Sequence, residues 1–386
     1  MKILHVISSR GWGGAENSAV YLAKKQIEKG NKAFFLIHSP NEKLKNILND
    51  NGVPYYSIFN PERKNIFAIS KIIEVCRLKN IDIIHTHLGT GNYLGVIAGS
   101  FLKIPVVSTV NIFSGYPYYA QSDAICFCSN AVKEYYINYF SSEKYLNYRP
   151  SFIESAINRL FKFNYKPVTN IEELKNKSHI IYERIDETKF IGYKEKLDEF
   201  KDYFNIGITG RIDEQKGQIY FIEAAGLLLK EYKNGNISEK RNDLMFHIVG
   251  SGKGEGQLKR IVDSKGLRGN FKFWGYQKDA RKFINTFDIC VSCSLSEPFG
   301  TNNIEYMFMR KPCVVTNTGG IPEVFGDTNM LIPPKDRLKL KIALKLYIEN
   351  KNLREEQGIK GFKRAKDVFA SDICLDNIMD VYKLIS

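Results

Sequence analysis

Long apolar runs are missing from this chain of 386 residues, and no stretch reaches the ~18 apolar residues that a membrane-spanning helix needs. Met1–Ser8 is apolar but too short for a signal sequence, and it runs into a glycine-rich turn, so it reads as a first strand. Cysteine is sparse and odd in number: Cys76, Cys126, Cys128, Cys290, Cys293, Cys313 and Cys374. That pattern excludes a disulfide scaffold and fits a reduced, cytoplasmic setting. The one C-x-x-C, Cys290 and Cys293, lies inside the apolar run Phe287–Leu295 without a second pair or nearby histidines. It reads as buried strand thiols rather than a zinc site. Acidic residues are outnumbered: 56 Lys and Arg against 42 Asp and Glu leave a net charge of +14. Such a surface attracts phosphate in nucleotides, lipids or nucleic acid, although a lysine-rich background composition gives the same excess.

What is present is a globular composition, 44% apolar and 25% charged, which excludes a disordered or fibrous chain. The length exceeds what one core usually holds, so two domains are expected. Short apolar runs alternate with helical patterns. Met1–Ile7, Ala33–Ile37, Ile81–His85, Pro105–Val110 and Ala124–Cys128 read as strands in the first half. Tyr203–Ile208, Met245–Val249, Phe271–Trp274, Ile289–Cys293 and Pro312–Val315 repeat the pattern in the second. Each half is therefore an α/β unit with a parallel sheet covered on both faces, joined near the charged segment Asp186–Lys201.

One segment departs from the rest. Ala131–Pro167 carries Tyr135, Tyr136, Tyr139, Phe140, Tyr145, Tyr148, Phe152, Phe161 and Phe163, interleaved with Lys133, Lys144, Arg149, Arg159, Lys162 and Lys166. Rings among cations suit the interface of an anionic membrane. The same rings also suit a helical pair packed into the domain core.

The residues suited to chemistry cluster in loops that follow strands. Arg211 and Lys216 lie in Gly207-Ile-Thr-Gly-Arg-Ile-Asp-Glu-Gln-Lys-Gly217. In open α/β sheets ligands bind outside the carboxyl ends of the strands, where an Arg grips a diphosphate bidentately and a Lys adds a point charge. A solvated basic loop is the plainer alternative. Glu297 and Glu305 stand in Ser294-Leu-Ser-Glu-Pro-Phe-Gly-Thr-Asn-Asn-Ile-Glu-Tyr306. A helix expected to start at Gly300 or Thr301 would place Glu297 at the sheet edge and Glu305 on its second turn. Its free amides would favour a phosphate. Gly319-Gly320 with Glu323, and the glycine-rich Gly250–Gly256, follow strands in the same manner; the latter is neither G-x-G-x-x-G nor a phosphate loop. In the first half, Gly13-Gly14-Ala15-Glu16 follows the first strand, and His85-Thr-His87 ends a later one, with His87 in reach of a sugar hydroxyl at a cleft. No D-x-D pair is present to bridge a divalent metal to a diphosphate. Arg211, Lys216 and the helix dipole would have to supply that charge.

Together these motifs resemble the family-4 glycosyltransferases, along nearly the whole chain and most densely from Asn205 to Lys335. The most specific element is E-x7-E, Glu297 to Glu305. The resemblance implies a GT-B fold: two Rossmann-like domains, residues 1–188 on the acceptor side and 189–370 binding the nucleotide sugar, with parallel sheets facing a central cleft and residues 371–386 crossing back onto the first domain. It implies retaining transfer of a hexose-type sugar from a nucleotide-diphosphate sugar to a glycan or lipid-linked glycan, without metal or other cofactor. By resemblance, His87, Arg211, Lys216 and Glu297 carry the catalysis. Gly13, Gly14, Gly250, Tyr276, Phe299, Gly300, Thr301 and Glu305 line the donor site with them, Glu305 taking the ribose.

Two departures stand out: Glu183-Arg184 replaces the family's frequent Asn-Gly before Ile185-Asp186, and polar Thr301-Asn302-Asn303 replaces apolar residues. An epimerase of the same fold, or a noncatalytic sugar-nucleotide binder, remains the alternative; a nucleic-acid binder would explain the charge and none of the motifs. The expected place is the cytoplasm, with possible peripheral contact at the inner face of the membrane.

Overall fold

The computed structural model describes all residues except 60–61, 63–64, 141, 143–144, 146, 168–169 and 234–243. The chain packs as two units, Met1–Arg184 with Ser371–Ser386, and Ile185–Ala370. The first is built on a seven-stranded parallel sheet: β1 (Lys2–Ile7), β2 (Lys32–His38), β3 (Tyr55–Ile58), β4 (Ile83–His87), β5 (Val106–Val110), β6 (Ala124–Phe127) and β7 (Ser178–Ile180), in the spatial order β3-β2-β1-β4-β5-β6-β7. The second has six strands, β8 (Phe204–Thr209), β9 (Leu244–Val249), β10 (Phe271–Phe273), β11 (Ile289–Ser292), β12 (Cys313–Thr316) and β13 (Met330–Ile332), in the order β10-β9-β8-β11-β12-β13.

The strands read from sequence are all present, and three short ones, β3, β7 and β13, add to them. They carry too few apolar residues to show a period of their own. β4 runs two residues further than its apolar run because His87 pairs with Ile7 on one side and Thr109 on the other. Helices cover both faces of each sheet, so the central strands are largely buried, as in Ile83, Ile84, Ile206, Phe246 and Val291. All seven cysteines are buried thiols, with burial pushing Cys293 up to about 12.

The helix Ser371–Ile385 belongs to the first unit, where Leu375, Ile378, Val381 and Tyr382 pack on Ile3, Leu22, Ile83 and Val107. The aromatic segment is mostly core: Tyr136, Phe140, Tyr145, Phe161 and Phe163 are buried, while Phe152 is 89% exposed. Lys144 lies outside the described residues.

In both sheets the order reverses next to the first strand, at β1/β4 and at β8/β11. Chain leaves the two strands in opposite directions there and opens a crevice at their carboxyl ends. Every candidate loop singled out from the sequence emerges at one of these two edges or beside it.

The return helix is expected to be a real part of the core. Ile378→Ala should cost about 2–5 kcal/mol in urea unfolding, whereas Leu384→Ala, at a side chain 73% exposed, should stay within about 0.5 kcal/mol.

Candidate functional site

At the β8/β11 edge the loops are laced together before any ligand is considered. Asp213 accepts the Lys216 backbone N–H at 3.0 Å, caps the single turn Glu214–Lys216 and pairs with the Arg211 guanidinium. This turn carries Lys216 toward the loop after β11, where its Nζ meets Glu297 Oε2 at 2.5 Å. Ser294 Oγ donates to the same oxygen at 3.0 Å. The Gly320 N–H donates to the Glu297 carbonyl at 2.9 Å, so the Gly319-Gly320 turn buttresses the same residue. Glu297 is 9% exposed. Its Oε2 is fully engaged, while its Oε1 has no hydrogen-bond partner among the described residues. Arg211 is largely exposed.

The helix after Glu297 begins at Thr301, with Gly300 at φ +96°, the left-handed region that glycine alone enters cheaply. Phe299 is buried against Phe369, ring centroids 5.8 Å apart. Of the polar run Thr301-Asn302-Asn303, Asn302 turns back onto β8, its Nδ2 donating to the Thr209 carbonyl at 3.0 Å, and Asn303 is buried. Tyr306 OH accepts the Thr209 N–H at 2.8 Å. The first turns of the helix are thus pinned over the end of β8. Glu305 is partly exposed, and its carboxylate has no hydrogen-bond partner among the described residues. Desolvation, with a smaller contribution from Asp279, pushes its carboxyl up to about 8.

Gly250 has a packing reason of its own: a Cβ there would lie 1.9 Å from the Gly210 carbonyl oxygen. Its N–H donates to Gly275 O at 2.8 Å, which places the exposed Tyr276 beside this loop.

At the β1/β4 edge, Gly13 is the extended N-cap of the helix Gly14–Glu28, and a Cβ on Gly14 would meet nothing within 4 Å. Local packing therefore does not demand a glycine at 14. His87 ends β4 and is 4% exposed. Sequence reasoning singled out His87 but missed the groups that hold it. Gln26 Nε2 donates to Tyr382 OH at 3.1 Å, so its Oε1 accepts from His5 Nε2 at 2.8 Å. Neutral His5 then accepts at Nδ1 from His87 Nε2, 3.0 Å away. His87 is left with Nδ1 as a bare acceptor. Tyr382 in turn donates to His85 Nδ1 at 2.5 Å, and His85 Nε2 donates to Thr109 Oγ1 at 2.6 Å. Burial holds His5 down to about 4, against its Gln26 hydrogen bond and reinforced by Arg184, and holds His85 and His87 well below the usual histidine range, reinforced by the neighbouring histidines and by Arg184.

Ring nitrogens of His5, His85 and His87 lie within 4.8 Å of one another. Five of the six are already committed to each other or to Gln26, Tyr382 and Thr109. A cation would have to break that network, so the residues do not fit a metal centre.

Models of two known families match the chain: Glycosyltransferase Family 4 over residues 12–145 and Glycosyl transferases group 1 over residues 190–364. The chain is 24% identical to the alpha-D-kanosaminyltransferase of Streptomyces kanamyceticus over 179 residues, 45% of this chain and less than half, 44%, of that protein. It is 22% identical to the putative glycosyltransferase EpsD of Bacillus subtilis, over 84% of this chain and 82% of EpsD. The fold is similar to that of HepE from Anabaena, solved with UDP, with a TM-score of 0.78 at 18% identity over the whole of both chains.

The buried histidines carry a pH signature. Between pH 6.5 and about 4 the unfolded chain takes up protons that folded His5 refuses. Stability present above pH 6.5 should therefore be lost as pH falls, by about 1.4 kcal/mol per pH unit per histidine. Urea midpoints at about pH 7 and about pH 5 measure this, and equal stability at both would contradict it.

Proposed function

The chain belongs to the family-4 glycosyltransferases of the GT-B fold, and from that premise we propose that it moves a hexose-type sugar from a nucleotide-diphosphate sugar to a glycan, with retention of anomeric configuration and without a metal. The observation that carries the reading is the Lys216–Glu297 pair at the β8/β11 switch point, with Arg211 exposed on one side and the Gly300–Thr301 helix start on the other. In this reading Arg211 and Lys216 take the diphosphate. Their positive charge stabilises it as it leaves. Glu297, held by one oxygen, offers the other to a hydroxyl of the transferred sugar. Glu305 accepts the ribose hydroxyls, and Tyr276 stands where the base is met. HepE has also been solved with UDP-glucose, which supports a nucleotide sugar of this type as donor.

In the first unit, His87 offers its unprotonated Nδ1 to a sugar hydroxyl, and the open face of Gly14 leaves room for phosphate or acceptor. The reaction in this reading is a front-face substitution. The bond from the anomeric carbon to the diphosphate oxygen breaks, the bond to the acceptor oxygen forms on the same face, and the acceptor proton passes to the departing phosphate. The related lipopolysaccharide core biosynthesis glycosyltransferase LpsE of Rhizobium meliloti (25% identical over 184 residues, 47% of this chain and 50% of that protein) favours cell-surface glycan synthesis as the setting. No described helix is long and apolar enough to cross a membrane. The exposed Phe152, Ile153 and Leu160, flanked by exposed Arg149, Arg159 and Lys162, support peripheral contact with an anionic surface.

Three measurements test this. A nucleoside diphosphate should stabilise the protein in the presence of EDTA, and Arg211→Ala should weaken its binding by about 1.5–3 kcal/mol; an unchanged affinity would remove Arg211 from the donor site. Because the free Glu305 carboxyl sits at about 8 and ribose donors favour its ionised form, nucleotide binding near neutral pH should release a proton. Calorimetry in buffers of different ionisation enthalpy reads that release, which Glu305→Gln should abolish. Phe152→Ser should reduce sedimentation with anionic vesicles at low salt; a protein that never sediments argues against the membrane contact.

A further inference from the structure

Arg184 is not among the residues assigned above to the donor, and its setting is anomalous. The segment leaving β7 is tied along the carboxyl edge of the first sheet. The Ile181 N–H donates to Phe127 O at 2.9 Å, and Asn111 Nδ2, just past β5, donates to Glu183 Oε1 at 2.7 Å. Arg184 therefore sits at the edge that also carries His87 and the Gly13–Gly14 turn. It is 4% exposed, and its Nε and Nη1 are buried without a hydrogen-bond partner. No carboxylate among the described residues pairs with it. Its charge is felt by His5, His85, His87, Cys126 and Tyr382, and none of these supplies a negative charge at neutral pH.

A buried guanidinium without a counter-charge is costly, and arginine cannot relieve the cost by losing its proton. The missing partner is an anion whose oxygens accept several N–H bonds at once, the geometry for which a guanidinium is suited. We infer that Arg184 anchors a phosphate subsite at the carboxyl edge of the first unit, separate from Arg211 and Lys216, and filled by a phosphate group of a substrate. Two sources share this chemistry: a phosphate on the acceptor, or the diphosphate of the donor.

Thermal unfolding of the full chain with inorganic phosphate, at constant ionic strength, tests the subsite. In an Arg211→Ala background, phosphate should raise the unfolding midpoint, and adding Arg184→Met should abolish that rise. Without phosphate, Arg184→Met alone should unfold at the wild-type temperature or above it, because an apolar side chain replaces an unpaired charge. A phosphate response unaffected by Arg184→Met overturns the inference, and so does a loss of stability without phosphate shared by Arg184→Met and Arg184→Gln, which would mean that the protein itself already satisfies the charge. Should the Met variant not fold, Arg184→Gln carries the phosphate comparison. Saturating UDP separates the sources: an Arg184-dependent phosphate response that persists assigns the subsite to the acceptor, and one that UDP removes assigns it to the donor. Because the comparison is made without Arg211, it stands whether or not the proposed donor site does.

Discussion

Parallel pairing is the constraint on which the rest depends. Every strand in each sheet runs with its neighbours, so all carboxyl ends collect at one edge and each return path must be a helix or long loop. The order reverses at β1/β4 and β8/β11, and crossover elements diverge from those points. Residues far apart in sequence, such as Lys216 and Glu297, or His5 and His87, are brought together because their strands are neighbours there.

The two edges are electrostatically different. The second unit carries fixed charges held by second partners: Asp213 orders the Lys216 turn, and Ser294 and Lys216 hold one Glu297 oxygen while the other stays open. A charge already oriented loses little further freedom when it meets a ligand. The first unit carries a chain of neutral, buried imidazoles whose tautomers are set by Gln26 and Tyr382. These imidazoles present hydrogen-bond acceptors rather than charge. Tyr382 comes from the last helix of the chain, so packing of that helix and the tautomer of His87 are one structural problem.

Several residues that look functional in sequence are accounted for by packing. Gly250 makes room for the carbonyl of Gly210, Asn302 ties its helix to the end of β8, and most rings of Ala131–Pro167 fill the core. Aromatic rings bury large apolar areas, and a Tyr needs only one polar partner to do so.

The sequence by itself determined the class of fold, two parallel α/β units, because buried parallel strands must be short apolar runs between helices, and that periodicity survives without any contact being known. It also pointed to the loops that matter, since glycines and charged residues directly after a strand have few other reasons to be there. Tertiary structure alone decided which oxygen of Glu297 is open, that Glu305 is desolvated, and that His87 is oriented by His5, Gln26 and Tyr382. The reason is physical: tautomer, carboxyl pKa and unsatisfied donors depend on what lies within a few ångströms, and those neighbours come from segments up to 356 residues apart. Arg184 is the clearest case. In the sequence it is one basic residue among 56 Lys and Arg, marked only as a departure from the family's frequent Asn-Gly, and its burial without a hydrogen-bond partner among the described residues is what gives that departure a physical meaning.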